Sequence, residues 1–121
     1  MAKMQPNELL AALAHFTGTT QWYKDPQFPS FKFTDGIKFL AEHAECYWLI
    51  NYIFSNQLLP KVKAQDFQVW KIVVVDGEAQ IKLEDGNDKV IESFEIEFTD
   101  FPLESFTLWM VGDTLLLPRE Y

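Results

Sequence analysis

The sequence predicts an α+β fold in which N-terminal helices pack on one face of a C-terminal antiparallel β-meander of about four to six strands. Three observations carry this. Up to residue 60 the apolar residues recur at three and four, as they do on one face of a helix. After Pro60 the period falls to two. Turn residues then stand between the alternating runs: Asp76-Gly77, Asp85-Gly86-Asn87-Asp88 and Gly112-Asp113. The 121 residues read as a single domain, 1–121, with a helical half at about 1–60 and a β half at about 61–121.

The first helix is expected to start at Asn7, whose side chain can cap free amides, with Glu8 in the positive first turn. Leu9, Leu10, Leu13 and Phe16 form its apolar face, and Gly18 ends it. Thr17 to Pro29 reads as an irregular connection rich in rings (Trp22, Tyr23, Phe28), followed by a short strand at Phe31-Lys32-Phe33. Thr34 or Asp35 caps the next helix. Its stripe of Ile37, Leu40, Ala41, Ala44, Trp48 and Leu49 faces inward, opposite Lys38, Glu42 and Glu45. From Tyr47 to Phe54 it is apolar nearly all round, which marks a central buried helix with a break near Glu45 and an end near Leu59-Pro60.

Phe67 to Val75 is β-branched and aromatic and reads as a central strand. Ala79, Ile81 and Leu83 alternate with Gln80, Lys82 and Glu84. Phe94, Ile96 and Phe98 alternate with Ser93, Glu95 and Glu97. Asp100-Phe101-Pro102 breaks the run, and Phe106 to Val111 with Thr114 to Leu117 form a final hairpin.

Charge divides the halves. Residues 1–60 hold four lysines against five acids, whereas residues 61–121 hold six basic side chains against thirteen acidic ones, within a net charge of −8. Ten of the acids lie between Asp76 and Glu104, beside only Lys82 and Lys89. This repels phosphate backbones and anionic lipid and attracts basic proteins, so direct nucleic-acid and membrane binding are not expected. The lone Cys46 permits no internal disulfide and sits in an apolar run, as an inert buried thiol does. Met1 to Pro6 lacks an apolar signal core, and no apolar stretch is long enough to span a bilayer, so a reducing cytoplasm is the expected location.

Several segments together resemble an uncharacterised family of small bacterial proteins, a domain of unknown function whose members are often found on plasmids, phages and other mobile elements. They are Phe16-Thr-Gly-Thr19, Gln21-Trp-Tyr23, Thr34-Asp-Gly36, Leu40-Ala-Glu42 and Tyr47-Trp-Leu49. They continue through Phe67-Gln-Val-Trp-Lys71, Glu84-Asp-Gly86, Phe98-Thr-Asp-Phe-Pro102, Leu108-Trp109 and the ending Leu117-Pro-x-Glu-Tyr121. The resemblance covers nearly the whole chain and implies no activity. Its mobile-element setting is compatible with an accessory or counter-defence role.

Two surfaces are candidates for function. The first is the segment His15–Tyr23 with Asp35. An imidazole, Thr hydroxyls including Thr17, the bare backbone of Gly18, and the rings of Trp22 and Tyr23 are what a small-ligand pocket uses. An Asp35–His15 pair would orient the imidazole for base chemistry, although no nucleophile stands out. The competing reading is a helix end with two packed rings and a capping Asp35. The second is an acidic face centred on Glu92, Glu95 and Glu97, whose bland reading is a solvated sheet surface. His43 and Cys46 are too few for a zinc site, and Lys89 and Ile96 spoil any calcium loop at Asp85–Asp88, so no metal or cofactor is expected. Asn51, among apolar neighbours, is expected to bond a backbone group or a second copy.

The preferred reading is a non-enzymatic protein-binding module with a basic partner, for example an accessory or inhibitor protein of a mobile element. A small-ligand or enzymatic site at His15–Tyr23 and Asp35 is the alternative. A third reading has homo-oligomerisation burying the surplus of eleven Phe and four Trp.

Overall fold

A computed structural model describes residues 3–18, 21–87 and 89–121 of the chain. In chain order the elements are α1 (Pro6–Leu13), β1 (Trp22–Asp25), β2 (Phe28–Thr34), α2 (Asp35–His43), α3 (Tyr47–Asn56) and α4 (Pro60–Lys63). Then follow β3 (Phe67–Val75), β4 (Glu78–Glu84), β5 (Val90–Ile96), β6 (Ser105–Val111), β7 (Thr114–Leu116) and a closing 3-10 turn, η1 (Pro118–Glu120). The class is α+β, and the described residues form four helices and a seven-strand sheet in the order β1-β2-β7-β6-β3-β4-β5.

The arrangement differs from the expected one in two ways. Helices are interspersed with strands, because residues read as an irregular loop form the β1–β2 hairpin. Asp25 makes that turn by accepting the Gln27 amide at 2.8 Å. The sheet is also mixed and is not a simple meander. β3, β4 and β5 follow one another antiparallel, but the chain then crosses back to lay β6 on the other side of β3. β7 pairs antiparallel with β6 and parallel with β2, through Lys32–Thr114 and Phe33–Leu115. That parallel joint fuses the hairpin of the N-terminal half to the sheet of the C-terminal half.

The helix boundaries also moved. α1 begins at Pro6, placed first because its missing N–H needs no partner there, and it ends at Leu13 rather than at Gly18. Asn7 lies inside it and accepts only the adjacent Glu8 amide. The break near Glu45 is present: Glu45 takes φ +52°, and α2 and α3 stand on either side. Asp76 and Gly77 take φ +53° and +77°, as a two-residue hairpin turn requires. Thr19, Thr20 and Asp88, which the sequence reading placed in a loop and a turn, lie outside the described residues.

The core lies between the helices and one face of the sheet. Across it Trp70 of β3 stands in register with Leu83 of β4 and Leu108 of β6. Trp70 is 1% exposed and stacks on Phe94 of β5, whose ring meets Tyr52 of α3 edge-on at 5.5 Å. At the other end Phe54 of α3 gathers Phe28, Phe31 and Phe33 of β2. Much of the aromatic surplus is thus interior. Among the described residues no helix is long and apolar enough to cross a membrane.

Candidate functional site

Among the described residues of the first predicted cluster, Trp22 and Tyr23 do not turn to one side. Strand alternation sends Trp22 and Tyr23 to opposite sides of β1. Tyr23, in register with Phe33, stacks on that ring at 5.8 Å. Lys38 of α2 covers its face at 4.4 Å, and its hydroxyl donates to Gln21 Oε1 at 2.6 Å. Trp22 lies on the sheet face away from the helices, 54% exposed, with the Lys32 ammonium 5.9 Å from its ring. His15, Thr17 and Gly18 are exposed beyond the end of α1, and Asp35 occupies the first turn of α2. The clefts described below are lined by none of these six residues.

The predicted acidic face needs correcting in composition. Glu92 is in register with Leu83, a core position, and therefore points to the helical side. There it forms an ion pair with Lys61 at the start of α4. The hydrogen bond from Lys61 holds the Glu92 carboxyl below its ordinary range. Glu95, in register with Gln80, points to the open side, and Glu97 follows just beyond the strand end. One face therefore holds Glu95 and Glu97 without Glu92. The signal was in the sequence: Glu92 has the same parity as Phe94 and Ile96.

A different group joins Glu95 and Glu97. Phe98, read as an inward strand residue, lies past the end of β5 and is 88% exposed. β3 read as a buried central strand, but its last open-face residues are exposed too, Val75 at 64% and Val73 at 46%. The register rows Val73–Gln80–Glu95 and Val75–Glu78 set valines beside carboxylates. A cleft of about 560 Å³ runs over these residues to Phe98. A second cleft, about 650 Å³, lies between Trp48 of α3 and the segments 76–78 and 96–100. Ile96, Glu97 and Phe98 border both clefts, so the end of β5 forms a ridge with an aromatic tip. On the wall of the second cleft Asp100 is held by Lys3 at 2.6 Å, and that hydrogen bond keeps its carboxyl below the ordinary range.

The other sequence candidates are structural. Cys46 is buried, and its thiol donates to Leu40 O at 3.7 Å. Burial first, and the nearby Asp100 charge second, push that thiol up to about 12, so it stays protonated and unreactive at neutral pH. Asn51 is only half-buried and lines a shallow cleft with Lys24, Gln27 and Tyr47. The buried amides are Gln57 and Gln68, which exchange two hydrogen bonds of 2.8 Å each. Among the described residues no three His, Cys, Asp or Glu side chains gather as a metal site would need.

Among curated proteins, none matches the chain. A crystal structure of a protein of unknown function from Enterococcus faecalis is similar over 61% of this chain and 76% of that one, at 20% identity and a TM-score of 0.40. Residues 7–121, which hold every element from the body of α1 to η1, match the model of the family of unknown function DUF6876, and the chain belongs to that family.

Proposed function

We propose that this protein is a non-enzymatic protein-binding module that engages a basic partner at the Phe98 ridge. The observation that carries the reading is Phe98 itself, a large ring 88% exposed beside Val75 and Val73 and rimmed by Asp76, Glu78, Glu95 and Glu97. An exposed apolar group of this size is unfavourable unless something covers it, and a charged rim selects what does. Carboxylates around an apolar anchor favour a partner that carries Lys or Arg around an apolar patch. In the finer version, an accessory or inhibitor protein of a mobile element, the partner is a nucleic-acid enzyme, and these carboxylates take the places of phosphates.

The test is capture of partners from a bacterial host lysate by wild type, Phe98→Ala and the double variant Glu95→Gln/Glu97→Gln, in about 0.05 M and about 0.5 M salt. Wild type should retain a basic protein at low salt and release it at high salt, and both variants should lose it. Equal retention by the charge-neutralised variant overturns the electrostatic reading. Equal retention by Phe98→Ala removes the ridge as the anchor.

A further inference from the structure

β5 is the last strand of the sheet, so one of its two edges has no neighbouring strand. It runs seven residues from Val90 to Ile96, and among the described residues no backbone group outside β4 bonds to it. One hydrogen bond fixes which groups face outward. The amide of Ser93 donates to the carboxylate of its own neighbour, Glu92, at 3.3 Å. In an antiparallel strand a residue's N–H and C=O point the same way, and alternate residues point to opposite edges. Ser93 therefore faces the free edge, and so does Glu95; the alternation does not carry on to Ile91, because the pairing with β4 shifts register between Leu83–Glu92 and Glu84–Val90.

A free edge of this length is a template for another strand, and proteins blunt such edges with charge or proline. β5 contains no proline, and its register shift lies at its start, between Val90 and Glu92; Lys61 holds Glu92 on the helical side, so the charges left beside the open edge are those of Glu95 and then Glu97, both negative. A second copy of this chain would meet these carboxylates with its own. An extended segment carrying lysine or arginine would meet them with opposite charge, while its backbone paired with the outward amides and carbonyls, the Ser93 amide exchanging its bond to Glu92 for an interstrand one. The same segment, prolonged, would pass the ridge of Glu97 and Phe98.

We infer that the partner adds a strand to the free edge of β5, and that this strand is an extended basic segment. The inference rests on the protein-binding reading above and gives that reading its mode of binding.

The probe is an acetylated, amidated peptide of about ten residues alternating lysine with threonine and valine. It is titrated into 15N-labelled wild-type protein and into Ser93→Pro. Proline removes an outward N–H and no bond to β4, so the sheet should persist, as the amide spectrum will show. With wild type, shifts should centre on Ser93 and Glu95, and hydrogen exchange at those amides should slow on binding. Ser93→Pro should bind about five- to tenfold more weakly, the effect of one lost hydrogen bond. A peptide N-methylated at alternate residues along its pairing edge should fail to bind wild type, which keeps the test decisive if Ser93→Pro does not fold. Equal binding by the N-methylated peptide, or no binding by the unmodified one, overturns strand addition. The protein-binding reading falls separately, through the Phe98 and Glu95/Glu97 variants in lysate capture.

Discussion

The hydroxyl of Thr34 donates to Glu120 Oε1 at 2.6 Å across 86 positions of chain. Thr34 is at the same time the N-cap of α2, accepting the Ile37 amide at 3.3 Å. Glu120 also accepts the Gly36 amide at 3.2 Å and the Leu117 amide at 3.0 Å. One carboxylate thus closes the C-terminal turn on itself and places negative charge at the positive end of a helix from the other half of the chain. The segments Thr34-Asp-Gly36 and Leu117-Pro-x-Glu-Tyr121, far apart in sequence, are two sides of one joint.

This joint should be sensitive to single changes. Glu120→Gln is expected to lower the unfolding free energy by about 1–2 kcal/mol, by weakening charge-assisted bonds and the helix-end interaction. Gly36→Ala should lower it by about 1–3 kcal/mol through overpacking. A Cβ at Gly36 would lie 2.6 Å from Glu120 Oε1 and 2.7 Å from Leu117 Cδ1. Urea unfolding measures both. An unchanged midpoint for Glu120→Gln would show that the joint carries no stability.

The Gln57–Gln68 pair should behave as a unit. Gln68 also donates to Val62 O and Gln65 O and accepts the Trp70 indole N–H at 2.9 Å, while Gln57 donates to Ile53 O. Gln68→Leu strands buried groups on α3, α4 and β3 and should destabilise by about 1–3 kcal/mol. Gln57→Leu with Gln68→Leu should cost less than the sum of the single changes, because each change alone leaves a buried amide unpaired. Strictly additive unfolding energies would contradict the reciprocal geometry.

Cys46 should report global unfolding. Iodoacetamide should modify it in the native protein only as fast as the chain unfolds, and at full rate in denaturant. The sign of its pH effect follows from the raised thiol. An unfolded thiol ionises above its ordinary 9.0, while the folded one holds its proton up to about 12. The stability is therefore fully present below pH 9 and is lost as pH rises toward 12, by on the order of 4 kcal/mol at the far end. Unfolding of wild type and Cys46→Ala, compared from pH 8 upward, isolates the effect. Parallel curves would refute it.

Glu92 acts in the opposite direction. Its carboxyl is lowered by Lys61, so the unfolded chain takes up protons first as pH falls. The pair's contribution is complete above the ordinary value of 4.5 and is lost as pH drops below it. Glu92→Gln should flatten the acid limb of the stability curve slightly. An identical acid limb in wild type and Glu92→Gln would remove Lys61 as the partner that matters.

Where the pattern was local, the sequence was legible. Helical spacing marked α2 and α3, and their separation at Glu45 was visible as a switch from a striped to an all-round apolar helix. Asp76-Gly77 marked its hairpin because few residue pairs tolerate two positive φ values in succession. The β1–β2 hairpin is hard to see in the sequence because its prolines, Pro26 and Pro29, read as loop punctuation, whereas Pro26 lies in the turn and Pro29 where the pairing with β1 shifts register, between Lys24–Lys32 and Asp25–Phe28. The candidate site was half legible. Charge alone groups Glu92 with Glu95 and Glu97, but its parity puts it among core residues. Phe98 was assigned to the core by an alternation that outran the strand.

By itself the sequence determined the α+β class, the change of period after Pro60, the main turns and the concentration of acid in the second half. These depend on neighbours within one helical turn or one hairpin, where periodicity and backbone preference act directly. Only the tertiary structure decided that β6 returns to the far side of β3, that β2 and β7 meet in parallel, and that Glu120 closes on Thr34. It alone decided which residues remain uncovered, leaving Phe98, Val73 and Val75 among the carboxylates and β5 at an open edge. Exposure belongs to the whole packing arrangement: the same apolar residue is core or surface according to whether another element lies over it.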